Sequence, residues 1–304
     1  AEIHCAFLKP DSKLYDMRKI FLLLYLLLPF SALAQEDLMK LVSDSNEVFV
    51  KTATFKATRI INGHSVETVG KNNMDFIISH RFDRINRGFE EFFGLDAATN
   101  RLGLEYGLND RLMIGLGRSS FQKTFDYFTK YKLLRQTSGA ASMPLSVTLF
   151  GGYAISKQKT TPQLSGTDRS SYTAQLLIAR KFSEAFSLQL SPTLIHRNRA
   201  DIFTDNKTVI ATGIGGRMKL TKRTSLNGEY NYVLPNQIDD NYKNNLSFSF
   251  DLETGGHVFQ LLFTNSFGMT ERQFITETDG SWGSGDIHFG FNISRTFSFE
   301  KKSK

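Results

Sequence analysis

The sequence lacks the features of a helical membrane protein and of a disulfide scaffold. It has 1 cysteine and 6 prolines in 304 residues, and after position 34 its longest unbroken apolar run is Leu176 to Ala179. A membrane-spanning helix needs about 20 apolar residues, so a polytopic helical protein is excluded. One cysteine excludes a disulfide framework, and the 40% of apolar residues exclude a disordered low-complexity chain. Phenylalanine is abundant, with 27 copies, which favours a strand-rich chain.

The N-terminal region predicts export. The apolar stretch Ile20 to Phe30 is too short to span a bilayer as a helix. Arg18 and Lys19 precede it, and Ala32-Leu33-Ala34 follows, which is the pattern of a secretory signal peptide. We therefore expect residues 1–16 to be a mis-extended start, 17–34 to be the signal peptide, and cleavage to follow Ala34. Since Cys5 lies upstream, the exported chain would have no cysteine for a thiolate metal site or a lipid anchor.

Alternation of apolar and polar residues dominates the remaining chain. In the last segment Ile287, Phe289, Phe291 and Ile293 alternate with polar residues such as His288. A period of two places the two sets on opposite faces of a strand. The same pattern predicts twelve strands, at roughly 72–82, 99–108, 111–121, 126–136, 144–154, 171–182, 186–196, 207–220, 223–233, 244–253, 257–266 and 285–299.

The connections predict how these strands are arranged. Tight turns such as Asn109-Asp110 and Thr221-Lys222 alternate with long polar links such as 155–170 and 267–284. Transmembrane barrels have this asymmetry, with short periplasmic turns and longer outer loops. A soluble β-sandwich or lipocalin would also show alternating apolar and polar residues, but it would not readily show this asymmetry of connection lengths. We predict an all-β fold, a transmembrane antiparallel up-and-down β-barrel of about 12 strands, possibly 14, in the bacterial outer membrane.

Several segments flank or border the predicted barrel at 72–299. Residues 35–71 include a strand-like stretch, Glu47 to Ile61, which could join the wall as an extra strand or lie inside as a small plug. The charged tail 300–304 is expected to be frayed. Aromatic residues near strand ends suit the interfacial girdles of a barrel, although ordinary strand packing would explain each of them equally well; they are Tyr106, Tyr127, Tyr131, Tyr232 and Phe299.

Several stretches of the sequence, taken together, resemble those of a known family. They include Thr54–Glu67, Ile78–Phe82, Phe93–Asp96, Lys130–Gln136, Leu177–Phe182, Pro192–Asn198, Gly215–Arg223, Glu253–Gln260 and Gly285–Phe297. In these stretches the chain resembles an uncharacterised outer-membrane β-barrel family of diderm bacteria, domain of unknown function family 5777. The resemblance implies a barrel in the outer membrane and implies no activity.

Charged residues of both signs occupy the strand positions that we predict to face the lumen. They are Asp75, Arg101, Glu105, Arg217, Lys219, Glu229, Asp251, Glu253 and His288. They could line a narrow passive pore or form a salt-bridged polar core in a structural or scaffolding barrel. The sequence leaves both functions open.

The alternative function is a membrane-embedded enzyme such as a lipid hydrolase. The residue types are available in Ser119, Ser120, Ser284, His196, His288 and Asn292, but no G-x-S-x-G elbow is present. We predict no catalytic residues, no cofactor and no metal site. The expected partner is outer-membrane lipid, with lipopolysaccharide phosphates or an unknown protein at the outer loops as further candidates. The net charge is +7, but the sequence shows no cluster of basic residues on a predicted helix. We therefore do not expect nucleic acid as a partner. Candidate phosphate contacts are Lys157, Lys159, Arg197 and Arg199.

Overall fold

The computed structural model describes residues 48–199 and 206–299. The chain divides into two units, residues 1–48 and 49–304, and every described residue except Val48 belongs to the second. The predicted signal peptide, the mis-extended start and the charged tail therefore lie outside the described residues. Within the described ranges, no helix has the length and hydropathy needed to cross a bilayer.

Twelve antiparallel strands close into one barrel, and two further short strands form a separate sheet. β1 (Val48–Val50) pairs with β6 (Thr137–Gly139) in that small sheet. The wall strands are β2 (Asn73–Arg84), β3 (Ala98–Gly107), β4 (Leu112–Ser119), β5 (Thr124–Leu134), β7 (Ser146–Ser156), β8 (Ser170–Lys181), β9 (Phe186–Arg197), β10 (Thr208–Lys219), β11 (Thr224–Val233), β12 (Asn245–Thr254), β13 (His257–Thr264) and β14 (His288–Ser298). β14 pairs with β2, which closes the sheet and leaves no edge strand.

The wall is apolar outside and polar inside, which is the reverse of a soluble protein. On β3, for example, Leu102 and Leu104 are exposed while Arg101 and Glu105 are 1% exposed. The outward positions of other strands carry exposed large apolar residues, among them Ile114, Leu149, Leu190, Ile214, Phe248, Phe250, Leu261 and Phe263. In hydrocarbon every backbone N–H and C=O needs a protein partner, and closure of the barrel provides one along each strand. This wall therefore suits a lipid environment.

Connection lengths alternate between the two ends of the barrel. Turns such as 108–111 and 255–256 define the turn end, and connections such as 157–169 and 265–287 define the loop end. Predicted strand bounds agree with the observed ones to within a few residues, so the twelve-strand barrel is confirmed and the fourteen-strand alternative is wrong. One loop-end connection is short: β4 and β5 are joined by 120–123, where Gln122 and Lys123 adopt φ values of 51° and 49°.

Residues 51–71, which we name the plug, lie inside the barrel rather than in its wall. Within the plug Ile60 N–H donates to Gly63 O at 2.8 Å and Ser65 N–H donates to Thr58 O at 2.9 Å, so residues 58–65 form a small hairpin. Phe55, Ile61 and Val66 are 1 to 2% exposed. The second of the two placements considered for this segment, inside the barrel, is the one observed.

Two wall glycines provide the room that the plug needs. A Cβ at Gly215 would lie 2.3 Å from Ile60 Cδ1, and a Cβ at Gly107 would lie 2.0 Å from Gly70 O. Any larger residue at these positions would collide with the plug side chain or with the plug backbone. The surfaces of the wall and the plug are therefore complementary at both glycines.

A second segment enters the lumen from the loop end. Connection 265–287 contains a short helix, α1 (Glu271–Thr276), whose capping box joins Thr270 and Gln273. Phe274 and Ile275 are 0% and 1% exposed and pack with wall residues. The wall residues in that cluster are Ile195, Val209, Ala211 and Val233. The lumen is thus filled from both ends.

Candidate functional site

The tip of the plug hairpin is bound by one carboxylate of the wall. The backbone N–H groups of Ile61 and Asn62 each donate to Glu229 Oε2 at 3.1 Å, and Gly63 N–H donates to Oε1 at 3.1 Å and to Oε2 at 3.0 Å. Glu229 is 4% exposed. Hydrogen bonds to an ionised acceptor are stronger than neutral ones, roughly 1.5–3 kcal/mol each. This carboxylate is therefore the main polar contact of the hairpin tip.

The Asn62 side chain binds wall strands that follow β11 around the barrel, beginning with Ser247, the register partner of Glu229. Its amide Nδ2 donates to Ser247 Oγ at 2.9 Å and to Thr264 Oγ1 at 3.3 Å, while Arg81 Nη2 donates to its Oδ1 at 2.9 Å. All of these groups are buried. A single plug side chain therefore joins strands β2, β12 and β13.

Two further wall residues bind the plug hairpin, Lys130 on both of its strands and Gln189 on the second strand. Lys130 Nζ donates to the carbonyl oxygens of Thr58, Ser65 and Glu67 at 2.7, 3.0 and 3.0 Å. The amide of Gln189 accepts from Val66 N–H at 2.7 Å and donates to His64 O at 2.7 Å. These contacts satisfy plug backbone groups that are buried away from water, as buried polar groups require.

Buried charges surround the plug between β3, β5 and α1. Arg101 forms a bidentate pair with Asp126, at 3.0 Å from Nε to Oδ1 and 2.5 Å from Nη2 to Oδ2. Arg59 of the plug lies 3.9 Å from Glu105 and 3.7 Å from Glu271. Taking such charges out of water costs several kcal/mol per ion, which close pairing repays only in part. The cluster therefore ties the plug, the wall and α1 together without being a strong source of stability.

His64 is the titratable group at the centre of this interface. Its ring lies 4.5 Å from the Phe128 ring and 4.3 Å from the Phe150 ring, and its Nε2 is 3.3 Å from Glu271 Oε1. Burial, with the nearby cations Arg59, Lys130 and Arg101 as lesser causes, lowers the pKa of His64 well below its usual range. Burial raises the pKa of Glu271. The closed plug therefore favours a neutral imidazole.

The structure separates the nine predicted lumen residues into two groups. Six of them are buried at the inner face of the wall: Arg101, Glu105, Arg217, Glu229, Asp251 and His288. The other three, Asp75, Lys219 and Glu253, are half-buried near the turn end. Only Arg101, Glu105 and Glu229 belong to the buried part of the plug interface. Arg217 instead pairs with Glu253 at 3.2 Å, and Glu253 reaches the plug residue Lys56 at 2.7 Å.

Several residues of the interface were missing from the predicted set. Arg81, Asp126 and Lys130 are in the inward phase of their strands, so the alternation itself could have identified them. Arg59, His64 and Glu271 carry no such signal, because they lie on the plug and on α1, whose position inside the lumen depends on contacts distant in sequence.

The residues considered for lipid hydrolysis are not brought together. His288 Nδ1 is 2.8 Å from Phe82 O, and His196 Nδ1 is 2.8 Å from Thr208 Oγ1. Ser120 Oγ lies 2.9 Å from Thr99 Oγ1, and Ser119 Oγ accepts from Phe121 N–H. A nucleophile and its base must lie within hydrogen-bond reach. No serine–histidine contact of this kind occurs among these six residues, and no group of three metal-ligating side chains occurs in the described ranges.

The space left around the plug is small. A cavity of ≈ 20 Å³ lies between the plug and the wall, lined by Thr58, Ile77, Gln260 and Asn292 among others. A second, of ≈ 10 Å³, lies beside α1 and Asp126. Each has room for about one water molecule. Neither of these two cavities has room for an organic solute.

The closed twelve-strand fold and its apolar outer wall define a membrane β-barrel. Over residues 55–297 the chain matches a family described as a membrane-bound β-barrel domain, domain of unknown function 5777, and it belongs to that family. No curated protein matches the chain.

Solved structures with a similar fold are outer-membrane proteins. The NanC porin has 9% identity and a TM-score of 0.47, over 75% of this chain and 100% of that one. The KdgM porin in complex with disordered oligogalacturonate has 8% identity and a TM-score of 0.45, over 75% of this chain and 99% of that one. Outer membrane phospholipase A from Escherichia coli has 9% identity and a TM-score of 0.42, over 79% of this chain and 98% of that one. By its family match the chain is a membrane-bound β-barrel domain, whose wall would contact lipid.

Proposed function

We propose that this protein is an outer-membrane passage that is closed at rest by its own plug and conducts when the plug leaves the lumen. The observation that carries the proposal is the Glu229 carboxylate, which accepts hydrogen bonds from three successive plug amides. In this proposal the two functions that the sequence left open correspond to two states of one molecule: the packed barrel is the closed state and the pore is the open state.

The chemistry of the plug interface supports a removable segment. Beside the apolar contacts of residues such as Phe55 and Val66, the plug makes many hydrogen bonds, including those of Lys130 and Asn62, and water can replace these when the plug moves. Exchange with water leaves a net worth of only about 0.5–1.5 kcal/mol for an ordinary hydrogen bond.

Planar-bilayer recording on the purified full-length protein tests the proposal. We expect the wild-type protein to show rare conductance steps, and the Glu229→Gln variant to show frequent ones. The substitution removes the charge that holds three plug amides, which should shift the closed-to-open ratio by about 2–3 kcal/mol, or roughly 30–150-fold. Glu184→Gln, in an exposed turn between β8 and β9, is the matched control and should behave as the wild type.

Two outcomes contradict the proposal. A wild-type protein that is continuously open would show that the plug does not close the lumen. A folded Glu229→Gln variant that stays silent at every voltage, together with an equally silent Asn62→Ala variant, would show that the barrel is a structural or scaffolding element only.

Export and surface contacts complete the proposal. The sequence supports cleavage after Ala34, so that the mature chain would begin at Gln35; N-terminal sequencing of protein from outer membranes checks this. Lys157, Lys159 and Arg199 are exposed near the loop end and are suited to lipopolysaccharide phosphates. Arg197, also considered for this role, is instead buried and donates to Asn206 O at 2.7 Å. Loss of salt-dependent lipopolysaccharide binding in the triple Ala variant of the three exposed residues is the expected result.

A further inference from the structure

Most of the hydrogen bonds between the wall and the plug hairpin are made to the backbone of the plug. The donors and acceptors of the wall pair with plug N–H and C=O groups along most of the hairpin. The pairs are Lys130 with the carbonyls of Thr58, Ser65 and Glu67; Gln260 with Ile60 O at 2.8 Å; Asn292 with Ile61 O at 3.0 Å; Glu229 with the amides of residues 61–63; Gln189 with His64 O and Val66 N; and Thr148 with Val66 O at 2.8 Å.

These contacts use groups that almost every residue type provides. Each non-proline residue carries one N–H donor and one C=O acceptor. A wall that pairs with those groups recognises a bent peptide backbone, and the side-chain contacts then select among sequences. The Glu229 carboxylate in particular requires three neighbouring amides on one side of a turn, and nothing from the side chains of Ile61 and Gly63.

A few side-chain contacts add preference to this backbone recognition. Asn62 fits a buried polar niche formed by Ser247, Thr264 and Arg81. Ile60 and Val66 pack with Leu262 and Ala179 of the wall in one apolar cluster. The preferred sequence therefore has apolar residues on both sides of an Asn-Gly turn.

We propose that the lumen is a peptide-binding site, and that a separate hairpin-forming peptide can take the place of the plug when the plug leaves. The ligand class is a peptide of about the length of the hairpin, with an unmodified backbone at its turn and an apolar residue on each side. The inference rests on the proposed function in one respect, which is that the resident plug must be displaceable.

Fluorescence anisotropy on the full-length protein in detergent micelles tests this site. The protein carries Asn62→Ala, which weakens the plug and leaves the wall intact. The probe is a labelled synthetic peptide with the sequence of residues 52–69. A second peptide has the same side chains but methyl groups on the amide nitrogens of Ile61, Asn62 and Gly63, and a third has a scrambled sequence. We expect the unmodified peptide to bind at least 10-fold more tightly than the methylated one.

A wall variant supplies the matching half of the test. Glu229→Gln combined with Asn62→Ala should lose at least 10-fold in affinity for the unmodified peptide, while Glu184→Gln combined with Asn62→Ala should not. If Asn62→Ala does not fold, Gly63→Pro serves instead, because it removes one plug amide donor and does not alter the wall. Equal binding of the methylated, scrambled and unmodified peptides would overturn the inference, and so would no binding of any of them.

The two proposals fail in different experiments. Conductance that responds to Glu229→Gln without any peptide binding would reject the peptide site and leave the closed passage standing. Backbone-dependent peptide binding in a barrel that never conducts would reject the passage and leave the peptide site standing.

Discussion

The two segments that fill the lumen differ in how many hydrogen bonds to the wall accompany their apolar packing. The plug is bound by hydrogen bonds and charges from Glu229, Lys130 and Gln189. Helix α1 places Phe274 and Ile275 in an apolar cluster with four wall residues. Polar contacts exchange with water at small net cost, whereas apolar burial cannot be replaced in this way. Displacement of the plug must therefore break its apolar contacts as well as its polar ones, and under the proposed function α1 stays in place while the plug moves.

The largest expected effect comes from helix α1. Phe274→Ala should destabilise the folded barrel by about 3–5 kcal/mol, because it leaves a cavity at a fully buried position. Thermal unfolding in detergent, followed by the heat-dependent shift in gel mobility, measures the change. Phe89→Ala, at a residue that is 78% exposed, is the control. A loss equal to the control would show that α1 is not an integral packing element.

The next effect concerns the plug and leaves the barrel intact. Lys130→Met removes three hydrogen bonds to plug carbonyls and should favour the displaced plug by about 2–3 kcal/mol. A cysteine at Ser65, which is fully buried, reports displacement through its labelling rate with a maleimide, in a chain with Cys5→Ser. We expect labelling to be roughly 30–150-fold faster at unchanged unfolding temperature.

Lys132→Met is the matched control for that measurement. Lys132 is half-buried and makes one ion pair with Glu67 at 3.3 Å. Ion pairs near the surface typically contribute about 0.2–1 kcal/mol to stability, so the loss of this one should have a small effect. Equal labelling rates for both variants would contradict the assigned role of Lys130.

A pH effect of intermediate size should act on the plug alone. The pKa of His64 is lowered in the closed state and would return towards about 6.5 when the plug is displaced. The closed state then binds fewer protons, so its stability is fully present above about pH 6.5 and is lost as the pH falls. Acidification should therefore increase labelling of the Ser65→Cys reporter.

The charged residues that face His64 make a substitution control necessary. They are Arg59 of the plug, Lys130 of β5, Arg101 of β3 and Glu271 of α1. The raised pKa of Glu271 acts in the opposite direction, since a carboxyl that is more easily protonated in the closed state favours closure on acidification. His64→Gln keeps a neutral polar side chain and should reduce the rise in labelling below pH 6.5. If the pH dependence of labelling is the same in His64→Gln as in the wild type, then His64 does not cause the release of the plug on acidification.

The smallest effect is expected at the point of contact between the wall and the Ile60 side chain. Gly215→Ala would place a methyl group 2.3 Å from Ile60 Cδ1, and the end of this flexible side chain can turn away. We expect labelling of the reporter to increase by less than about 5-fold, since such overpacking relieved by a rotamer change costs about 1 kcal/mol. Gly151→Ala, whose nearest atom would be 3.9 Å away, is the control. A larger change at Gly151 than at Gly215 would contradict the close approach.

The wall was predictable because its signal is local. Residues such as Leu102, Leu104, Arg101 and Glu105 alternate, and period two alone assigns each to a face. The twelve strands and the alternation of short turns and long connections follow from this pattern. Positions such as Arg81 and Lys130 were overlooked although the same rule applies to them.

The plug and its partners were not predictable to the same degree. The stretch from Glu47 to Ile61 alternates as a wall strand would, and only distant contacts such as Asn62 with Ser247 distinguish the two placements. Helix α1 has six residues, too few for a helical period to appear in the sequence. The pairing of Arg101 with Asp126 depends on the register between β3, β4 and β5, which no local pattern specifies.

The early position of the plug in the chain has a consequence for barrel assembly. Its hairpin precedes every wall strand, yet it bonds to Asn292 on β14, 231 residues later than Ile61. Contacts so far apart in sequence form late, because the loop between them must be closed first. Insertion of the hairpin can then be completed only after β14 has joined β2, so a fully seated hairpin marks a barrel whose circumference is finished.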